Sequence, residues 1–180
     1  MTSSEMPTAH ATAIGRIAIA HASLEHIVEL ACWHLLDISS NEGVLISAEM
    51  QYQGKCELLA GLTAVKGERE AFNPLLKRLK SFGEERNRYL HGAWRVPNFL
   101  ANAGKSEPSL LSVRGKFSHN KRRIGPSEQV AVETLEAVAT AGDELANDLV
   151  NFLYRMSGMD VTPLLARFLL DDSIDFYRVT

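Results

Sequence analysis

The sequence predicts an all-α fold: a four- to five-helix antiparallel bundle, with an insertion at about 96–126 that is either a small β-hairpin or a basic loop. Three observations carry this. Ile14, Ile17, His21, Leu24, Val28, Ala31 and Leu35 step by 3, 4, 3, 4, 3, 4, the seam of a long amphipathic helix. Leu135, Val138, Gly142, Leu145, Leu149, Phe152 and Met156 repeat that stepping near the other end. The insertion between them holds Pro97, Gly104, Pro108, Gly115, Gly125 and Pro126, which no helix interior tolerates together.

In chain order, the first helix is expected from about Ala9 to Leu36, with a break at Asp37–Gly43. A second runs from about Ser47 to Lys66 and stops at Gly67. Gly54 and Gly61 share one of its faces. A third opens at Asn73, a good N-cap, with Pro74 at the first helical position, and ends near His91 and Gly92. In the insertion, Leu110–Phe117 reads as a strand that Arg122–Ile124 can pair with. The last long helix is expected from about Ser127 to Met156, followed by a short helix near Pro163–Leu170 and a tail. At 180 residues the chain is most simply one domain, with its core at about 9–156 and a short C-terminal helix and tail at 160–180.

Composition limits the function classes. No apolar run approaches the ~20 residues of a membrane span. Met1–His10 contains Glu5 and no Lys or Arg, unlike a signal peptide. Cys32 and Cys56 are isolated thiols without zinc spacing, as expected of small buried hydrophobes in a reducing, cytoplasmic setting. There is no Glu-x-x-His pair of a di-iron bundle, no P-loop or Rossmann glycine loop and no nucleophile elbow. Neither a metal nor a cofactor is therefore expected.

The net charge of −3 conceals an asymmetry. Residues 1–76 carry a net −5, residues 77–127 a net +9 and residues 128–180 a net −7. A basic middle between acidic flanks points to an anionic partner, or to ion pairs with the acidic helices of the same fold.

The basic segment opens on Arg86-Asn87-Arg88-Tyr89-Leu90-His91-Gly92. At ~100° per residue, Leu75, Leu79, Phe82 and Leu90 form one apolar stripe with Arg86 in its middle. An unpaired guanidinium is costly to bury, so this position breaks the local pattern. Asn87 and His91 lie four apart on one face. Arg86 is about 140° from His91 around the helix and roughly 7–8 Å along it, within leaning distance. His91 falls in the last turn, where the helix dipole favours an imidazolium and general acid–base work. A structural reading uses the same residues: His91 as a cap, and Arg86 paired with Glu25 or Glu29 of the first helix.

Arg86-Asn87-x-x-x-His91 near the end of a helix in a small bundle resembles the signature of the HEPN superfamily, as do the flanking Glu84-Glu85 and Gly92-Ala93-Trp94. The resemblance covers about residues 9–156. It implies a metal-independent endoribonuclease, acting as a toxin or phage-defence effector, that cleaves RNA by attack of the ribose 2′-hydroxyl. Arg86 would stabilise charge on the phosphorane, His91 would transfer protons, and Asn87 would orient His91 or the phosphate. It also implies a homodimer with a composite site, and an antitoxin or nucleotidyltransferase as partner. Other members have no activity and bind RNA, a nucleotide or a partner protein, which is the alternative for this chain.

Further RNA contacts are expected from Arg88 and from Arg114, Lys116, Lys121, Arg122 and Arg123, which lie with His119 in a stretch free of acids from Pro108 to Ser127. Phe117, Tyr89 and Trp94 are candidates for base stacking, with core packing as the more frequent role. His21 is expected to be a core histidine.

Overall fold

The computed structural model of the chain describes residues 6–95, 110–118 and 121–157. They form α1 (Thr8–Leu36), α2 (Ser40–Ser47), α3 (Tyr52–Val65), α4 (Arg69–Leu90), β1 (Ala93–Arg95), β2 (Leu110–Ser118), β3 (Lys121–Val130) and α5 (Val132–Ser157). This is a helical bundle fold with a three-stranded antiparallel meander inserted between α4 and α5. The short helix expected near Pro163–Leu170 and the tail lie outside the described residues.

The two seams are the buried faces of α1 and α5. Ile17, Leu24, Val28 and Ala31 are fully enclosed, as are Leu135 and Leu149. Each such leucine or isoleucine contributes roughly 1.5–3 kcal/mol relative to exposure.

Two compact units divide the chain. The first takes in Met1–Ala22 and Lys77–Leu145. Within it, His21 is buried and stacks on Phe82 with ring centroids 6.4 Å apart, the core role expected of it. Gly142 makes a close approach possible: a Cβ there would sit 2.5 Å from the Phe82 ring and 2.9 Å from the Ala20 Cβ. The second unit takes in Ser23–Leu76 and Ala146–Thr180. Phe72 and Phe152 meet in it at 5.3 Å.

Helix boundaries differ from expectation where capping and tertiary contacts intervene. The break after α1 is narrow. Asp37 takes φ 56°, and Ser39 then caps α2. The cap is a reciprocal box: the Glu42 N–H donates to Ser39 Oγ at 3.4 Å, and the Ser39 N–H donates to Glu42 Oε2 at 2.9 Å. Gly43 of α2 lies against Trp33, whose ring leaves no room for a Cβ. The second expected helix accordingly begins at Tyr52 rather than Ser47.

That helix, α3, ends as predicted. Gly67 adopts φ 79°, its N–H reaches the Ala64 carbonyl at 3.0 Å, and the Glu68 N–H reaches Thr63 at 2.8 Å. This 5→2 and 6→1 pairing satisfies the last carbonyls of α3. α4 begins at Arg69, so Pro74 sits inside it rather than at its first position, and Asn73 is not its cap. The Phe72 N–H bonds to the Glu68 carbonyl at 3.0 Å, adding a helical turn before the proline. Packing of Phe72 on Phe152 outweighs the single hydrogen bond that Pro74 cannot donate.

The insertion is a hairpin rather than a loop. β2 pairs with β3 from Leu110↔Val130 to Ser118↔Lys121, with an irregularity between Val113 and Gly115. β1 joins the other edge of β2, from Ala93↔Val113 to Arg95↔Leu111. Pro126 falls on β3, an edge strand, where a missing donor is tolerated. The strand runs to Val130, so α5 starts at Val132 rather than Ser127.

Candidate active site

Arg86 lies on α4 between the buried Phe82 and Tyr89, and is half-buried. Its Nη1 donates to Asn87 Oδ1 at 2.8 Å and to His91 Nε2 at 3.2 Å. The structure therefore brings Arg86, Asn87 and His91 into direct contact, within the first unit. The contact also fixes a tautomer. A guanidinium has no acceptor, so Nε2 must accept, and the proton of the neutral ring sits on Nδ1.

α4 ends at Leu90, so His91 follows the last helical residue instead of lying in the last turn. Its backbone N–H still reaches the Asn87 carbonyl at 3.2 Å. Asn87 and His91 are exposed. Among the described residues Arg86 Nε is buried and has no hydrogen-bond partner.

The aromatic neighbours brace this end of α4. Tyr89 is only 3 % exposed, which gives it a core role rather than a stacking platform. Trp94 of β1 stacks on it at 6.2 Å and donates its indole N–H to the Tyr89 carbonyl at 2.9 Å. This ties the meander to the helix end that carries the trio. Arg88 lies over the Tyr89 ring, 5.3 Å from its centroid, on the same turn as the trio. Phe117 belongs to β2, opposite Arg122.

The remaining predicted RNA-contacting residues are placed by strand register rather than within the trio. Lys116 is opposite Arg123 and Ser118 is opposite Lys121. Arg122 is opposite Phe117, and Arg114 falls at the register irregularity. His119 lies outside the described residues.

The carboxylates considered as partners for Arg86 are engaged elsewhere. Lys55 of α3 is buried, and its Nζ lies 2.6 Å from both Glu25 Oε1 and Glu29 Oε1. Burial works against the Lys55 charge, but the hydrogen bonds and charges of the two carboxylates outweigh it and raise the ammonium above the ordinary lysine value. His26 stands 3.9 Å from Glu29, and burial lowers its proton affinity in spite of that carboxylate. Cys32 and Cys56 are buried free thiols, as expected. Burial first, then the neighbouring Cys56 and Glu29, pushes the Cys32 thiol up to about 12, so it is unreactive. Sequence reading missed the Lys55 cluster, whose only local trace is that Glu25, Glu29 and Cys32 share a face of α1.

Among the described residues no group of three or more His, Cys, Asp or Glu could hold a metal ion, and no helix is long and apolar enough to cross a membrane. An open cavity of about 540 Å³ in the second unit, lined by residues including Leu75, Asp148, Phe152 and Arg155, contains none of the trio. No family model, curated protein or solved structure matches the chain.

Proposed function

We propose that the chain is a metal-independent endoribonuclease of the HEPN type, with Arg86 and His91 as its reacting groups and Asn87 orienting them. The observation that supports this most is the single guanidinium nitrogen bonded to both the amide and the imidazole. The ribose 2′-oxygen attacks phosphorus, and His91 Nε2 takes the hydroxyl proton. Arg86 stabilises the charge gathering on the phosphorane. The P–O5′ bond then breaks, and the leaving oxygen takes a proton from the protonated His91 of a second copy. The products are a 2′,3′-cyclic phosphate and a 5′-hydroxyl.

Each chain supplies one such imidazole, while the reaction needs a proton taken and a proton given. A homodimer that places two trios in one cleft meets that need. Arg88 and the hairpin residues Arg114, Lys116, Lys121, Arg122 and Arg123 hold flanking RNA phosphates. A role as a toxin or phage-defence effector, restrained by an antitoxin or nucleotidyltransferase, belongs to the same reading.

The test is the chemistry of the ends. Wild-type protein in EDTA should convert a labelled RNA into fragments bearing 2′,3′-cyclic phosphates, and should leave a copy with a 2′-deoxy sugar at the cleaved position intact. Cleavage of the deoxy copy at that position contradicts the mechanism. Binding of RNA with no cleavage favours the alternative, a non-catalytic module that uses the basic hairpin.

A further inference from the structure

In the arrangement described, His91 cannot yet act as a base. Its Nε2 lone pair is already accepting the Arg86 Nη1 hydrogen at 3.2 Å, and Nδ1 carries the ring proton. The same Nη1 is held by Asn87 Oδ1 at 2.8 Å. The trio is assembled, with Nη1 of the guanidinium committed to its own neighbours.

Two features indicate what releases it. A phosphodiester carries a full negative charge, and a hydrogen bond between two ionised groups is stronger than one from a guanidinium to a neutral imidazole nitrogen. In the present rotamer Arg86 Nε is also buried without a partner among the described residues, which a folded protein does not leave uncompensated without cost. Turning the guanidinium toward a phosphate gives Nε an acceptor and frees Nε2 in one movement. Asn87 acts as a positioning residue, keeping the guanidinium at the helix end in both states.

We propose that the Arg86–His91 hydrogen bond is a substrate-operated latch: a phosphodiester takes the guanidinium, and only then is the His91 base available. The use of the freed nitrogen rests on the ribonuclease reading above, but the latch itself can be read without RNA. The ligand class is an alkyl phosphodiester monoanion, which accepts hydrogen bonds and has no hydroxyl to donate back to Nε2.

The experiment follows the ring nitrogens of His91 by ¹⁵N NMR at mildly alkaline pH, on the full chain, with dimethyl phosphate as probe and sodium chloride at equal ionic strength as control. In the free protein the ring should show the Nδ1–H tautomer, with Nε2 shifted upfield by the hydrogen bond it accepts. Dimethyl phosphate should move Nε2 downfield, saturably, and chloride should not. In Arg86→Ala, Nε2 should begin downfield and ignore the probe. In Asn87→Ala the probe should still act. An Nε2–H tautomer in the free protein, or an Nε2 resonance in wild type that dimethyl phosphate does not move, overturns the proposal whether or not the variants fold. If Nε2 responds and RNA is never cut, the ribonuclease reading fails and the latch stands. If RNA is cut while Nε2 stays fixed, the latch alone fails.

Discussion

Replacing Lys55 by methionine removes the ammonium that bridges Glu25 and Glu29. The lysine is 7 % exposed, and its ammonium contacts both carboxylates at 2.6 Å. Without it, two like charges face each other at i and i+4 on α1, a destabilising arrangement in itself. Breaking a buried pair from one side costs about 3–5 kcal/mol. The Glu25 and Glu29 side chains keep 32 % and 19 % of their surface, so water takes part of the load. The lower end, about 3 kcal/mol, is therefore expected. For a chain of this length that is a fall in Tm of about 6–12 °C by far-ultraviolet circular dichroism at neutral pH.

Neutralising the carboxylates as well, in Lys55→Met/Glu25→Gln/Glu29→Gln, should recover most of the loss, because the penalty lies in the stranded charges rather than in the missing bond. The pH dependence has a defined sign. The Lys55 ammonium is raised in the fold, so its contribution is complete below the ordinary lysine value of 10.5 and is lost as pH rises through the higher folded value. Wild type and Lys55→Met should therefore converge in strong alkali. A Tm change below about 2 °C, or an equal loss in the triple variant, refutes the reasoning.

Three other outcomes are expected. Gly43→Ala drives a Cβ to 2.3 Å from the Trp33 ring and should cost about 1–3 kcal/mol in urea unfolding, whereas Gly15→Ala, with nothing within 4 Å, should stabilise by roughly 0.5–1 kcal/mol. Ser39→Ala should cost about 1 kcal/mol by removing the α2 cap. Ser39 holds the Glu42 carboxyl below its usual range, so that contribution is present above the usual value and is lost as pH falls through the folded one; the Ser39→Ala difference should narrow in acid. Lys116→Glu/Arg123→Glu should weaken binding to single-stranded RNA and flatten log K against log salt by about 0.7 for each phosphate that is no longer neutralised, read by fluorescence anisotropy; an unchanged slope moves the RNA off the hairpin.

The parts of the fold that were legible in the sequence are those where burial repeats locally. Ile17, Leu24 and Val28 on α1, and Leu135, Leu145 and Leu149 on α5, announce their faces because the same side of each helix is enclosed for several turns. Gly67 was readable as a stop because its left-handed φ is a local requirement. Pro74 misled for a long-range reason. The turn before it is held by Phe72 on Phe152, some eighty positions away. The α2 cap was readable and overlooked: Ser39 and Glu42 stand at capping-box spacing, inside a stretch whose polarity and Gly43 suggest a break.

The same division runs through the candidate site. The spacing of Arg86, Asn87 and His91, and the oddity of an arginine on an apolar stripe, were visible in the sequence. That one Nη1 serves both neighbours was not, because it depends on a side-chain rotamer. Nor could the sequence show Glu25 and Glu29 turning to Lys55, since that choice depends on how α3 packs against α1.

The central claim is that His91 performs proton transfer on RNA without a metal. The most direct measurement is the single-turnover rate of RNA cleavage in EDTA by wild type and by His91→Ala, with circular dichroism showing that both are folded. A general acid–base histidine contributes about 10²–10⁴-fold. Wild type should cleave and the variant should show a loss of that size; cleavage by His91→Ala at the wild-type rate contradicts the role given to His91.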